Sequence, residues 1–197
     1  MEKLPLYILA GGKSSRFGSD KALADAGGVP LMLRVAKQWA AWASNVCVVA
    51  DRADRYAELR VRTIADLQPG MGPLAGLAAA LADRKEGWIV LAGCDAMLMD
   101  AAIPLMLING ISEKVDAVAL RNERWEPLPA LFHARALPAV QAALAQNRLS
   151  LWRLIEAIPH QAVALSSDGL FQLNTPSDLA AFMADQRAKP MVPPPPM

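Results

Sequence analysis

The chain has 197 residues, which suits one domain, and a chain of this length buries roughly two thirds of the surface that it exposes when unfolded. Its apolar fraction of 54% and charged fraction of 20% are typical of a globular protein and exclude a disordered or fibrous one. The net charge is +1 and no basic block is visible, so we expect a protein that acts on a small molecule and does not contact nucleic acid. No apolar stretch reaches the roughly 18 to 20 residues of a membrane span, so we expect a cytoplasmic protein without a membrane contact.

Short apolar strands alternate with helical segments in the first half of the chain. Residues 4–10 are apolar at even and odd positions, which predicts a strand buried on both faces. The next predicted elements are a helix over 30–43, a strand over 46–50, a polar helix-like stretch over 54–59, a strand over 61–65, a helix over 73–82 and a strand over 88–92.

The second half continues the alternation. It predicts strands over 115–120 and 129–133, helices near 135–145 and 149–157, short strands over 162–165 and 170–173, and a last helix over Pro176–Ala188. Pro129 indicates that its strand lies at a sheet edge or in a β-hairpin, because proline cannot donate to a ladder. Residues 190–197 are rich in proline and predict a disordered tail behind a domain of residues 1–189.

Alternation of this kind favours parallel pairing through right-handed crossovers, with helices on both faces of the sheet. The predicted fold is therefore a single α/β domain with a doubly wound, mostly parallel sheet. Cys47 and Cys94 lie in apolar runs without metal or redox spacing and are interpreted as reduced core thiols. His133 and His160 have no serine or cysteine at a recognisable spacing, so a hydrolase triad has no support.

The segment that says most about chemistry follows the first strand and reads Leu-Ala-Gly-Gly-Lys-Ser-Ser-Arg-Phe-Gly-Ser-Asp-Lys over residues 9–21. Adjacent glycines at the end of a strand let backbone N–H groups approach phosphate oxygens, and Lys13, Arg16 and Lys21 supply positive charge. The spacing matches neither the P-loop nor the dinucleotide-binding glycine pattern. The segment predicts a triphosphate site of another kind.

Asp95 also follows an apolar strand, so its carboxylate is expected at the same sheet edge as this loop. Magnesium prefers one or two carboxylates together with phosphate oxygens and waters, and a single aspartate beside a triphosphate meets that preference. Asp95 is therefore the predicted ligand of Mg²⁺, the one cofactor expected. The structural alternative is an aspartate that caps the next turn.

The segment over 9–21 resembles the L-A-G-G-x-S-x-R-x-G-x-D-K signature of the molybdenum cofactor guanylyltransferases, a family within the sugar-nucleotidyltransferase-like superfamily. The resemblance continues in Asp66 with Gly72-Pro73-Leu74-Ala75-Gly76-Leu77, in Cys94-Asp95, in Glu126-Pro127-Leu128-Pro129-Ala130-Leu131-Phe132, and in Asn174-Thr175-Pro176-Ser177-Asp178-Leu179. The Leu-Ala-Gly-Gly and Gly-Pro-Leu-Ala-Gly segments are similar to the guanine-using branch, whereas cytosine-using relatives tend toward Leu-Ala-Ala-Gly.

This resemblance implies a Rossmann-like nucleotidyltransferase that transfers GMP from GTP to the phosphate of molybdenum-loaded molybdopterin and releases pyrophosphate. It implies three sets of site residues. The catalytic set is Arg16, Lys21 and Asp95. The nucleotide-binding set is Leu9, Ala10, Gly11, Gly12, Lys13, Ser14, Lys21, Asp66, Gly76 and Asp95. The acceptor-binding set is Pro127, Leu128 and Asn174, and recipient molybdoenzymes or their chaperones are candidate partners.

The sequence departs from the family pattern at four positions, Phe17, Asp51, Met97 and Glu126, where Met, Asn, Pro and Gln are usual. Glu126 places a negative charge where a phosphorylated acceptor approaches, so acceptor identity is the part left most open. Asp66 could instead be a surface residue, and Asn174 a turn residue.

Two other functions remain open at this point. One is CMP transfer by a molybdopterin cytidylyltransferase, or by another sugar-phosphate nucleotidyltransferase of the same fold. The other is a non-catalytic module that delivers cofactor to a partner enzyme and docks through the proline-rich tail.

Overall fold

The computed structural model describes residues 2–10, 17–66, 68–166 and 168–188. The strands are β1 (Leu4–Leu9), β2 (Ala43–Ala50), β3 (Arg62–Ala65), β4 (Trp88–Gly93), β5 (Ala96–Leu98), β6 (Ala117–Arg121), β7 (Trp125–His133), β8 (His160–Ala164) and β9 (Leu170–Gln172). The α-helices are α1 (Leu31–Gln38), α2 (Pro73–Arg84), α3 (Ile103–Asn109), α4 (Leu137–Ala145), α5 (Leu151–Ala157) and α6 (Pro176–Ala188). Short 3₁₀ turns cover Lys21–Leu23, Ala57–Leu59 and Ala134–Ala136.

Seven strands form one sheet in the order β3-β2-β1-β4-β7-β6-β8. The pairs β1–β2, β1–β4, β2–β3 and β6–β8 are parallel, and β7 runs antiparallel to both of its neighbours. Strands β5 and β9 form a separate two-stranded antiparallel sheet. The predicted α/β class with a mostly parallel sheet is confirmed.

Helices cover both faces of the sheet, as a doubly wound fold requires. Alternate residues of β1 point to opposite faces, so Leu6 and Ile8 join one core cluster while Tyr7 joins the other. The first cluster contains buried residues of α1, α3 and α6, and the second contains buried residues of α2, α4 and α5. Both cysteines are free thiols; Cys47 is buried and Cys94 half-buried, as expected for reduced core residues.

The prediction for Pro129 is confirmed in its second alternative, the β-hairpin. Its strand, β7, is the second arm of a hairpin with β6, but it lies between β4 and β6 and is not an edge strand. A central strand accommodates the proline because the β6–β7 register shifts between Ala119 and Leu120, which pair with Ala130 and Glu126. The residues between these two partners, Pro129 included, therefore lie outside the regular ladder.

Other differences concern element ends. The helix predicted over 30–43 ends at Gln38, and Ala43 already begins β2. The helix-like stretch over 54–59 contains only the 3₁₀ turn at Ala57–Leu59. Strand β5 and helix α3 were not predicted, whereas α6 has the predicted bounds.

Two predicted segments lie outside the described residues: most of the loop, residues 11–16, and the tail at 190–197. In the part of the chain that is described, no helix combines the length and the apolar character needed to cross a bilayer.

Candidate active site

An ion pair between Lys21 and Asp95 lies at the carboxyl edge of the sheet. Asp95 lies two residues after Gly93, the last residue of β4, and its Oδ2 is 2.6 Å from the Lys21 Nζ. The side chains are 13% and 31% exposed, so the pair is shielded on the Lys21 side and open to a ligand on the Asp95 side. The two residues are 74 positions apart in the sequence, and the fold brings them together.

Asp20 fixes the position of Lys21. Its Oδ1 accepts a hydrogen bond from the Ala22 backbone N–H at 3.1 Å, which caps the 3₁₀ turn that begins at Lys21. Its Oδ2 lies 2.9 Å from the Arg55 Nη2 and 3.0 Å from the Tyr56 hydroxyl. Lys21 is thus attached to the segment that follows β2.

Tyr56 connects this network to the end of β1. Its hydroxyl lies 2.9 Å from the carbonyl oxygen of Ala10, the last described residue before the glycine pair. Burial, followed by the charge of Asp20, raises the pKa of Tyr56 well above its ordinary value, so the phenol keeps its proton. Sequence reasoning missed Arg55 and Tyr56 because they lie in a polar stretch without a recognisable motif.

Asp51, one of the four departures, has a clear contact. Its Oδ1 is 2.7 Å from the Arg55 Nη1, and this hydrogen bond lowers the pKa of Asp51. The same hydrogen bond raises the pKa of Arg55. Arg55 is therefore held between Asp51 and Asp20, and its charge is directed at the carboxylate that caps the Lys21 turn.

The surroundings of Asp95 fit a single-carboxylate magnesium site. A Cβ on Gly93 would lie 2.5 Å from the Asp95 Oδ1, so the glycine leaves the space that this oxygen occupies. The Asp95 carbonyl accepts a hydrogen bond from the Leu173 backbone N–H at 3.0 Å, which anchors the residue from behind. Within the described ranges no group of three or more His, Cys, Asp and Glu residues could hold a metal, so an ion here would need phosphate oxygens and waters in addition to Asp95.

Three other residues of the predicted nucleotide set, Leu9, Ala10 and Gly76, meet where β1 ends. The Ala10 N–H donates to the Val49 carbonyl at 2.9 Å, and the Leu9 carbonyl accepts from the Cys94 N–H at 3.1 Å. A Cβ on Gly76 would lie 2.5 Å from the Leu9 Cδ2. The glycine therefore allows the first turn and a half of α2 to approach this strand end closely.

Asp66 lies at the same edge but farther along the sheet. It follows β3, three strand positions from β4, which corresponds to roughly 14 Å. Its Oδ1 accepts from the Gln68 N–H at 2.9 Å, and the residue borders a cavity of about 270 Å³ with α2 and α4. Only an extended ligand could contact both Asp66 and Asp95.

The rest of the predicted nucleotide and catalytic residues lie outside the described ranges. They are Gly11, Gly12, Lys13, Ser14 and Arg16.

The predicted acceptor residues lie on the other side of Asp95. The Leu128 Cδ1 would be 3.8 Å from a Cβ on Gly93, which places Leu128 and its neighbour Pro127 next to the end of β4. Asn174 lies two residues before α6, and its backbone N–H donates to the Asp178 Oδ2 at 2.9 Å. Hydrogen bonding with the Thr175 side chain lowers the pKa of Asp178, and the charge of Lys21 adds to this effect.

Glu126 and Met97, two further departures, have different roles. The Glu126 Oε2 accepts from the Gln172 Nε2 at 3.1 Å, so its charge is held between β7 and β9. Met97 is fully buried in the first core cluster and pairs with Phe171 across the small sheet. Its replacement of a proline is therefore a packing feature. Phe17, the fourth departure, is half-buried.

Comparison with known proteins adds to this geometry. A model of the MobA-like NTP transferase domain matches residues 6–163. The probable molybdenum cofactor guanylyltransferase of Deinococcus radiodurans is 38% identical over 185 residues, covering 91% of this chain and 94% of that protein. The molybdenum cofactor guanylyltransferase of Yersinia pestis is 33% identical, covering 92% of this chain and 96% of that protein.

Solved structures agree on the fold. The molybdopterin-guanine dinucleotide biosynthesis protein A of Archaeoglobus fulgidus has a TM-score of 0.74 at 22% identity, covering 94% of this chain and all of that one. A CMP:2-keto-3-deoxy-manno-octonic acid synthetase has a TM-score of 0.75 at 15% identity, covering 95% and 99%. Because the family model and the relatives span most of the chain, it belongs to the molybdenum cofactor guanylyltransferase family of MobA-like NTP transferases and is a nucleotidyltransferase.

Proposed function

We propose that this nucleotidyltransferase transfers GMP from GTP to the terminal phosphate of molybdenum-loaded molybdopterin at the Lys21–Asp95 pair. The observation that carries the proposal is the 2.6 Å contact between a cation and a carboxylate at the carboxyl edge of the sheet. Open α/β sheets bind ligands at this edge. Relatives named for this activity, at 33% and 38% identity over nearly the whole chain, support GTP as the donor.

In this reaction an oxygen of the acceptor phosphate attacks the α-phosphorus of GTP. The new phosphorus–oxygen bond forms as the bond between the α-phosphorus and the β-phosphate oxygen breaks, and pyrophosphate leaves with the bonding electrons. The attacking oxygen is already ionised at neutral pH, so positioning and charge neutralisation are the main requirements. Lys21 supplies a fixed positive charge, and Lys13 and Arg16 of the preceding loop would add to it.

Asp95 is the residue that would hold Mg²⁺. When bound, the ion neutralises charge on the phosphate oxygens of the nucleotide. The Asp95 Oδ1, next to Gly93, is the oxygen that the Lys21 contact at Oδ2 leaves for this purpose. Lys21 orients the carboxylate, and the anchored Asp95 backbone keeps it at the strand end.

The sheet order supports a separate side for each substrate. Asp66 and Gly76 lie with β3, α2 and the end of β1, whereas Leu128, Pro127 and Asn174 lie toward β7 and α6. The nucleotide would occupy the first side, the acceptor the second, and Asp95 the boundary.

The test is to incubate the purified protein with Mg²⁺, molybdopterin and either GTP or CTP, and to measure pyrophosphate release and the mass of the dinucleotide product. We expect the guanine dinucleotide with GTP and no product with CTP. A cytosine dinucleotide would overturn the choice of base. Nucleotide binding without any product would support the non-catalytic delivery module instead.

A further inference from the structure

A second concave surface lies beside the acceptor residues, between the tip of the β6–β7 hairpin and α5. This cavity of about 410 Å³ is lined by Arg121, Glu123, Arg124, Trp125, Trp152 and Glu156. We call it the hairpin pocket. It combines two indole rings with two carboxylates and two guanidinium groups, a mixture that the catalytic geometry above does not use.

Trp125 is held in one orientation. Its Nε1–H donates to the Glu156 Oε1 at 3.0 Å, and its ring meets the His160 ring edge-on, with centroids 5.2 Å apart and an angle of 79° between the planes. The Arg121 guanidinium lies 5.0 Å from the ring centroid. The pocket therefore has one fixed aromatic wall with a carboxylate attached to its polar edge.

Trp152 differs from Trp125 in its exposure to solvent: this large aromatic side chain is 41% exposed. It lies in the first turn of α5, and the Arg153 guanidinium is 5.1 Å from its ring centroid. Aromatic side chains provide flat contact area at low entropic cost, and cavities that pair them with a few polar groups are typical of small-molecule sites.

The polar groups indicate which ligand fits. A carboxylate can accept two parallel hydrogen bonds from a ring that carries an amino group next to a ring N–H, and a guanidinium can donate to an adjacent carbonyl oxygen. A fused ring with a 2-amino-4-oxopyrimidine edge has all three groups, and its flat face can stack on tryptophan. Guanine and pterin share this edge, so the chemistry alone allows either source.

The position favours the pterin. Arg121 ends β6, two strand positions from β4 and about 10 Å from its end, on the side away from Asp66. Trp125 begins β7, the strand that also carries Pro127 and Leu128. We propose that the hairpin pocket binds the pterin ring of the acceptor and so aligns the acceptor phosphate with GTP; this assignment rests on the proposed function.

Steady-state kinetics of Trp152→Ala and Glu156→Gln test the proposal, with Glu86→Gln, at an exposed carboxylate between α2 and β4, as the matched control. We expect KM for molybdopterin to rise at least tenfold in both pocket variants, with KM for GTP unchanged, and Glu86→Gln to match the wild type. A rise in KM for GTP instead would show that the pocket receives the guanine base. Unchanged KM for both substrates would overturn the proposal.

A binding experiment separates this proposal from the proposed function. The wild-type protein and Trp152→Phe are titrated with 6-hydroxymethylpterin and with guanosine while tryptophan fluorescence is recorded. We expect 6-hydroxymethylpterin to quench wild-type fluorescence saturably, and quenching by guanosine to be weaker. Binding of the pterin by a protein that forms no dinucleotide would reject the reaction and keep the pocket. Absence of pterin binding in a protein that forms the dinucleotide would reject the pocket and keep the reaction.

Discussion

At the scale of single residues, the site depends on one charge and one missing side chain. Lys21 neutralises Asp95 and faces the place where phosphates would bind, while Gly93 leaves space for the Asp95 carboxylate. The sequence predicted Lys21 because it ends the glycine loop after the first strand, and Asp95 because it follows an apolar strand whose end lies at the same sheet edge. Gly93 could not be predicted, because its role comes from the folded position of the Asp95 Oδ1, which lies 2.5 Å from where a Cβ on Gly93 would stand.

Removal of the Lys21 charge should impair catalysis more than folding. In Lys21→Ala we expect kcat to fall by roughly 100-fold or more, the loss typical for one electrostatic contact to a transition state. The free energy of unfolding should change by no more than about 1 kcal/mol, because Asp95 is accessible to water and its ion pair is screened. Pyrophosphate release and urea denaturation measure the two quantities.

Lys37→Ala, which removes an exposed lysine of α1, is the control for this change of charge and should behave as the wild type. Full activity in Lys21→Ala would contradict a catalytic role for this residue.

Gly93→Ala tests the space beside Asp95. The new methyl group would start 2.5 Å from the Asp95 Oδ1, so the carboxylate must turn away and the apparent affinity for Mg²⁺ should fall at least tenfold. Gly110→Ala is a steric control, since its Cβ would meet the Val118 Cγ1 at 2.6 Å, away from the ion pair. Magnesium titrations of activity compare the two variants. Equal magnesium dependence in both would show that Gly93 has only a packing role.

At the scale of elements, periodicity predicted the strands and helices whose apolar pattern is complete. It failed where the pattern is short or interrupted. Strand β5 has three residues and pairs only with β9, which is more than 70 positions away, so local sequence gives no sign of it. Helix α3 has seven residues, apolar throughout except for Asn109, so no polar face marks its period. The antiparallel β7 carries proline in a central strand because a register shift removes the need for its N–H.

The Tyr56 phenol links the segment between β2 and β3 to the end of β1, which makes Tyr56→Phe informative. Loss of the hydroxyl leaves the Ala10 carbonyl and the Asp20 Oδ2 without this partner, and we expect a destabilisation of about 1–3 kcal/mol. Because Ala10 precedes the glycine loop and Asp20 caps the Lys21 turn, KM for GTP should also rise severalfold.

Tyr7→Phe is the matched control for this variant. The Tyr7 hydroxyl donates to the Asp83 Oδ2 at 2.5 Å, in a network with Arg62 that lies away from the ion pair. It should lose a similar amount of stability without a change in KM for GTP. Urea denaturation and steady-state kinetics of both variants provide the comparison, and an unchanged KM in Tyr56→Phe would mean that its hydroxyl only stabilises the fold.

At the scale of the whole molecule, surface carboxylates and buried thiols whose pKa values shift on folding set the pH range of stability. The pKa values of Asp51 and Asp83 are lowered, chiefly by hydrogen bonds from Arg55 and Arg62. The folded state therefore binds fewer protons than the unfolded state, and this stabilisation is lost as pH falls below about 4. Burial instead raises the pKa of Cys94 to about 12. The folded state therefore holds this thiol proton more tightly than the unfolded state, and the stabilisation is lost as the pH rises.

Cys47 provides the sharpest test of the alkaline limb. Burial raises its pKa from 9.0 to about 11, although Arg62, with Nη1 3.4 Å from the Cys47 Sγ, acts in the other direction, while Asp83 adds to the rise. The folded state holds the thiol proton more tightly than the unfolded state. Its contribution is therefore fully present below pH 9 and declines as pH rises through the window from 9 to 11, at up to about 1.4 kcal/mol per pH unit.

Cys47→Ala should have a lower free energy of unfolding at pH 7, because a buried side chain becomes smaller, but a shallower decline between pH 8 and 10. Urea denaturation across this range compares the two slopes, and the comparison stops at pH 10 because unfolded tyrosines titrate there and would add the contributions of Tyr7 and Tyr56. Parallel slopes in the wild type and the variant would mean that the buried thiol does not govern the loss of stability above pH 9.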